Sequence, residues 1–98
     1  YKNSIVLVPL YLSALRYNGK VNNVIEFMNT LPDEVLINPL VQLEYAIALY
    51  ESGDTEQALS IFSTISEQDT TADWSIEAMQ YIQVIQSAQT NNTWSTQI

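Results

Sequence analysis

Glu67, Asp69 and Asp73 cluster in one short stretch, as oxygen donors for a cation or an acid–base pair would have to. They lack the glycine turn, the ligand spacing and the bidentate Glu of a calcium loop, so they read as solvated charge at helix ends. Asp73 suits a helix N-terminus, where a carboxylate meets the positive end of the helix dipole. Two carboxylates in a cleft can do general acid–base work, but nothing in the sequence forces two of these together. With no His and no Cys, the chain has no imidazole base, no thiolate, and no Cys/His zinc or haem site. No metal or other cofactor is expected, and no catalysis. Its three cations, Lys2, Arg16 and Lys20, are too few for a phosphate clamp or a nucleic-acid stripe. An anionic membrane surface repels a chain of formal charge −8. Asn91-Asn92-Thr93 matches a glycosylation acceptor but sits in a polar tail, where the match carries little weight.

With 98 residues, 47% apolar and 14% charged, the chain has enough apolar surface for one globular domain or a short repeat array. Absence of Cys excludes a disulfide framework and leaves the compartment open. The expectation is a soluble domain, cytoplasmic or of the periplasm and cell envelope. Ile5–Leu15 is nearly all apolar, but it is about half of the ~20 residues a membrane span needs and is interrupted by Pro9 and Ser13. It reads as a buried helix. The opening at Tyr1 reads as an excised piece of a longer chain.

The two glycines, Gly19 and Gly53, lie 34 residues apart, and their neighbours repeat with them. Tyr11 matches Tyr45, Ala14 matches Ala48, and Leu15 matches Leu49. Downstream, Val24-Ile25 matches Ala58-Leu59, Met28 matches Phe62, and Leu31 matches Ile65. The apolar positions recur at three and four, so each half reads as helix, glycine turn, helix. Asn23 with Glu26, and Asp54 with Gln57, have capping-box spacing at the start of a second helix. Pro39 fits a first helical turn, and Pro32 closes the helix before it. The predicted helices lie near 6–18, 22–31, 39–52, 55–66 and 72–89, followed by a polar tail that frays.

This pattern resembles the tetratricopeptide repeat, whose unit is 34 residues of paired antiparallel helices. The resemblance is clearest in Tyr45-Ala46, Leu49-Tyr50-Glu51-Ser52-Gly53-Asp54, Ala58-Leu59 and Phe62. It implies an all-α right-handed superhelix of about five helices: a repeat at 5–38, a repeat at 39–72, a partial repeat or capping helix at 73–90, and a tail at 91–98. Leu12 and Val24 in the first unit, and Gln80 and Ser87 in the third, depart from the family's small-residue and glycine positions.

In that family the first helix of each pair lines a concave groove. Carried over, the groove takes Val6, Pro9, Leu10, Ser13, Arg16 and Tyr17 from the first unit. Leu40, Leu43, Glu44, Ile47, Tyr50 and Glu51 follow from the second, and Trp74, Glu77 and Tyr81 from the third. Some family members grip a C-terminal carboxylate there with Lys, Arg and Asn. Glu44, Glu51 and Glu77 argue against that ligand here. The implied partner is a protein segment, extended or helical, with apolar anchors and basic rim residues. An architectural or self-associating element of a larger array is the alternative, and a homo-oligomer is compatible with either. Tyr11 and Tyr45 fall at packing positions and are expected in the core. Tyr50, Trp74 and Tyr81 divide between groove and core.

Overall fold

The computed structural model describes the backbone of residues 2–97 and the side chains of residues 7–88. Among the described residues the chain is all-helical, in six helices: α1 (Lys2–Tyr17), α2 (Val21–Met28), α3 (Asp33–Leu36), α4 (Pro39–Ser52), α5 (Thr55–Gln68) and α6 (Asp73–Gln97). Among the described residues no helix is long and apolar enough to cross a membrane.

The 34-residue spacing reappears as backbone geometry. After α1, the Gly19 N–H donates to the Arg16 carbonyl at 3.0 Å and the Lys20 N–H to the Leu15 carbonyl at 2.9 Å. After α4, the Gly53 N–H donates to Tyr50 at 3.2 Å and the Asp54 N–H to Leu49 at 2.9 Å. Both are Schellman closures, which need a left-handed residue at the turn. Gly19 has φ 76° and Gly53 φ 103°. A Cβ built on Gly53 meets no atom within 4 Å, so a substitution there costs only backbone strain. Gly53→Val is expected to lose about 1–2 kcal/mol, because a β-branched residue is poorly accommodated at positive φ. For a domain of this size that lowers the melting temperature by roughly 5–15 °C. An unchanged melt would overturn the role given to this turn.

The helix starts follow their caps, with one correction. Asn38 caps α4, its side chain accepting from the Leu40 N–H at 2.9 Å, with Pro39 in the first turn. Asp54 caps α5, accepting from the Gln57 N–H at 3.3 Å. Asn23 does not cap α2: the helix begins at Val21, behind Lys20, and Asn23 lies inside it. The Gly19 turn is tight enough that the chain re-enters helix at once. Pro32 does more than follow a helix. It precedes the single-turn helix α3, with Asp33 and Glu34 in the first turn, so α2 ends earlier, at Met28. At the other end α6 continues to Gln97, through the polar segment expected to fray.

α4 is the central element: it packs against α1, α2, α3, α5 and α6. It is accordingly apolar around most of its circumference, as a helix enclosed on several sides must be. On one flank Val41 and Ala48 join Val8, Leu12, Val24, Met28 and Val35. On the other Leu43, Ala46, Ile47 and Leu49 join Ala58, Phe62, Ile65, Ala78 and Ile85. Several partners at 34-residue spacing are completely buried together: Leu12 and Ala46, Val24 and Ala58, Val41 and Ser75. Ser75 is the polar member, and its hydroxyl donates to the Ser66 carbonyl at 3.0 Å, tying α6 to α5.

Two expectations about packing are corrected. Leu43 and Ile47, assigned to a groove, belong to the core, because α5 and α6 close over that side of α4. Tyr11, assigned to the core, is 51% exposed. Its counterpart Tyr45 packs against both core clusters. Tyr11 instead meets Phe27 edge-on at 5.0 Å.

Candidate functional site

The side chains left to form a site come from α1, α4 and α6. Arg16, in the last turn of α1, is placed where a cation complements the helix dipole. Glu44 and Glu51 lie two turns apart on one face of α4, and the guanidinium reaches both. Nε donates to Glu44 Oε2 at 3.0 Å and Nη1 to Glu51 Oε1 at 3.4 Å. Arg16 also lies over the ring of Tyr17, 4.5 Å from its centroid. From α6 comes Tyr81, stacked on Phe62 at 4.9 Å with the planes 6° apart and met edge-on by Tyr50 at 5.9 Å. Together these residues form a strip running across three helices, aromatic at α6 and acidic over α4.

The electrostatics of the strip are those of one cation among too many anions. Burial acts to depress the Arg16 pKa, but the hydrogen bond and charge of Glu44 outweigh it, with help from Tyr17 and Glu51, and the net shift is upward. The guanidinium stays charged. Glu44 is pushed above its ordinary range as well, chiefly by burial; Arg16 opposes that shift, while Glu77 and Glu51 add to it. Both shifts are upward, yet that of Arg16 favours its charged form and that of Glu44 its neutral form: Glu44 is desolvated by burial and answers to three neighbouring charges, whereas Arg16 is shared between two carboxylates. Burial also raises the Tyr81 pKa; Arg16 opposes this, and the three glutamates add to it, so its hydroxyl remains a neutral donor.

Of the residues carried over from the repeat resemblance, the structure brings Arg16, Tyr17, Glu44, Tyr50, Glu51 and Tyr81 into one strip. Glu77, exposed on α6, acts on it through its charge. Trp74 packs half-buried against the α4–α6 core, and Leu43 and Ile47 lie beneath the surface. Leu10 and Leu40 are exposed, Pro9 and Ser13 half-buried, and the Val6 side chain lies outside the described residues. Of the acids between α5 and α6, Asp69 has a structural role. Asp69 accepts from the Thr71 N–H at 3.0 Å and from its hydroxyl at 2.7 Å, shaping the turn between α5 and α6. Those bonds also hold its pKa below the ordinary value. Among the described residues no group of three or more His, Cys, Asp or Glu is arranged to hold a metal. A cleft of about 250 Å³ at Ile37, Gln42, Ile61, Ile65 and Gln68 has no ionisable residue in its lining. The Gln42 amide there is already donating to the Leu36 carbonyl.

Charge is segregated along the chain, a signal carried by composition per segment rather than by any motif. All three cations fall within residues 1–25, which contain no carboxylate, and all eleven acids follow from Glu26 onward. The chain is polarised, with its α1 end basic and everything after it acidic.

No protein-family model matches the chain, and neither characterised proteins nor solved structures provide a match. What fold and site define is an architecture: among the described residues, an all-helical domain with a mixed aromatic and acidic strip across α1, α4 and α6.

Proposed function

We propose that this domain is a non-catalytic protein-binding module built from tetratricopeptide-like units, and that the α1–α4–α6 strip is its recognition face. The observation that carries this reading is the convergence of one helix from each 34-residue segment on a shared surface. The matching Schellman turns and the buried partners at the same spacing support the repeat architecture, including its superhelical arrangement. The partner is a segment of another protein, with an apolar or aromatic side chain to pack beside Tyr50 and Tyr81. Because Arg16 is already engaged internally, Glu51 and Glu77 offer net negative charge, and Lys or Arg at the partner's rim answers it. For the same reason a C-terminal carboxylate is the wrong ligand for this face.

The test is capture of partners from source extract by wild type and by Glu51→Lys/Glu77→Lys, both exposed changes, after matched melting curves establish folding. Partners bound at low salt and lost on the charge-reversed strip support the reading. An identical partner set on both proteins would remove recognition from this face. An architectural role, with contacts made at the end of the helical stack, is the second reading, and the exposed face of α1 favours it.

A further inference from the structure

Leu7, Leu10, Tyr11, Ala14 and Tyr17 follow helical spacing and occupy one side of α1, about 120° wide at 100° per residue. The four large side chains are 59%, 64%, 51% and 78% exposed. Arg16 lies on the opposite side, so this stripe meets the proposed recognition strip only at Tyr17, whose ring borders both. Thirty-four residues later Leu7, Tyr11 and Ala14 become Val41, Tyr45 and Ala48 on α4. There the face is covered: Val41 and Ala48 are completely buried against Val8, Leu12, Val24 and Met28 of the preceding helix pair. Thus α1 presents a helix-packing face that the same molecule closes one unit further on.

We infer that a second copy of this chain covers the stripe, α1 against α1, in a two-fold symmetric dimer. Charge selects that occupant. Residues 1–25 carry no carboxylate, so two copies approaching through α1 avoid bringing acid against acid. An isologous contact through any other face brings the acidic remainder of one chain against that of the next. Arg16 is neutralised by Glu44 and Glu51, and Lys20 lies beyond the stripe, past the end of α1. The competing head-to-tail arrangement would set the apolar stripe on the outer face of α6. That face is mixed, with Ile76 and Val84 exposed among Gln80, Gln83 and Ser87, and offers less apolar surface than the α1 stripe. An isologous contact instead matches apolar to apolar and closes at two copies. The stripe offers roughly 500 Å² per copy, counting about half of each large side chain. That is less than the ~800 Å² per partner of a standard interface, so the dimer dissociates on dilution into the micromolar range.

Sedimentation equilibrium from about 1 µM to about 500 µM, at low and at moderate salt, tests this. Wild type is expected to pass from monomer to dimer mass and stop there, at lower concentration in higher salt, because screening weakens the repulsion between two molecules of charge −8. Leu10→Glu, on an exposed position, is expected to remain monomeric with an unchanged helical spectrum, and Val84→Glu on α6 to dimerise like wild type. Leu7→Glu, at another exposed position of the stripe, gives the same comparison if Leu10→Glu does not fold. A monomer at every concentration overturns the inference and assigns the stripe to a different molecule. Assembly beyond two copies that salt weakens overturns it in favour of basic-end to acidic-end association, as does loss of the dimer in Val84→Glu.

Discussion

Phe62→Ala is expected to cost about 3–5 kcal/mol, the range for removing an aromatic ring from a packed core. A domain of this length has roughly 5–15 kcal/mol in total, so the variant sits near the edge of folding. Phe62 is completely buried and links two parts of the molecule. On one side it belongs to the core shared by α4, α5 and α6; on the other its ring lies flat against Tyr81 of the recognition strip. Losing it therefore opens a cavity and removes the platform that sets the Tyr81 ring. Urea unfolding followed by circular dichroism measures the loss, and Phe62→Leu, which keeps most of the volume, is expected to lose much less. A double-mutant cycle with Tyr81→Leu should return a coupling of about 0.5–1.5 kcal/mol for the stacked pair. A loss under about 1 kcal/mol in Phe62→Ala would remove it from the centre of the core.

The legibility of this fold in its sequence follows from which features are local. Gly19 and Gly53 announce their turns because positive φ is nearly a glycine property, and the same two Schellman bonds close both. Asn38-Pro39 and Asp54 mark helix starts for equally local reasons. Asn23 had the same spacing signal and failed, since the cap is decided by where the preceding turn delivers the chain. Leu43, Ile47 and Tyr11 were misplaced because burial depends on neighbours. α4 has helices on both flanks, which turns nominal groove positions into core. On the outer side of α1 Tyr11 meets Phe27 edge-on and stays half exposed, which turns a nominal core position into surface. The strip itself was half legible: repeat spacing placed Arg16, Glu44, Glu51 and Tyr81 on corresponding helices. That the lone cation faces inward to two of those acids, rather than outward to a ligand, depends on the crossing of α1 over α4.

Arg16→Met is the second large effect expected, and its pH dependence distinguishes it from lost packing. The substitution keeps much of the aliphatic stem but leaves Glu44, only 15% exposed at its side chain, beside Glu51 and Glu77 with no cation. An unpaired, largely buried carboxylate is costly; allowing for the partial exposure of the pair, the loss at pH 7 is about 1–3 kcal/mol. In the wild type the folded-state pKa of Glu44 is already raised, so the folded protein holds its proton more tightly than the unfolded chain does. That contribution is fully present below the unfolded pKa and is lost as pH rises through the folded one. Without Arg16 the folded pKa rises further, so the loss extends to higher pH and grows. Melting curves of Arg16→Met should therefore approach those of wild type as the buffer is acidified toward pH 4, and separate from them toward neutrality. Glu44→Gln in the Arg16→Met background should recover part of the neutral-pH stability, because an amide carries no charge to be left unpaired. A deficit that is the same at pH 4 and pH 7 would mean that Arg16 acts by packing alone. The inward role of this cation, and with it the choice of a basic rather than a carboxylate-bearing partner, would then lose its electrostatic support.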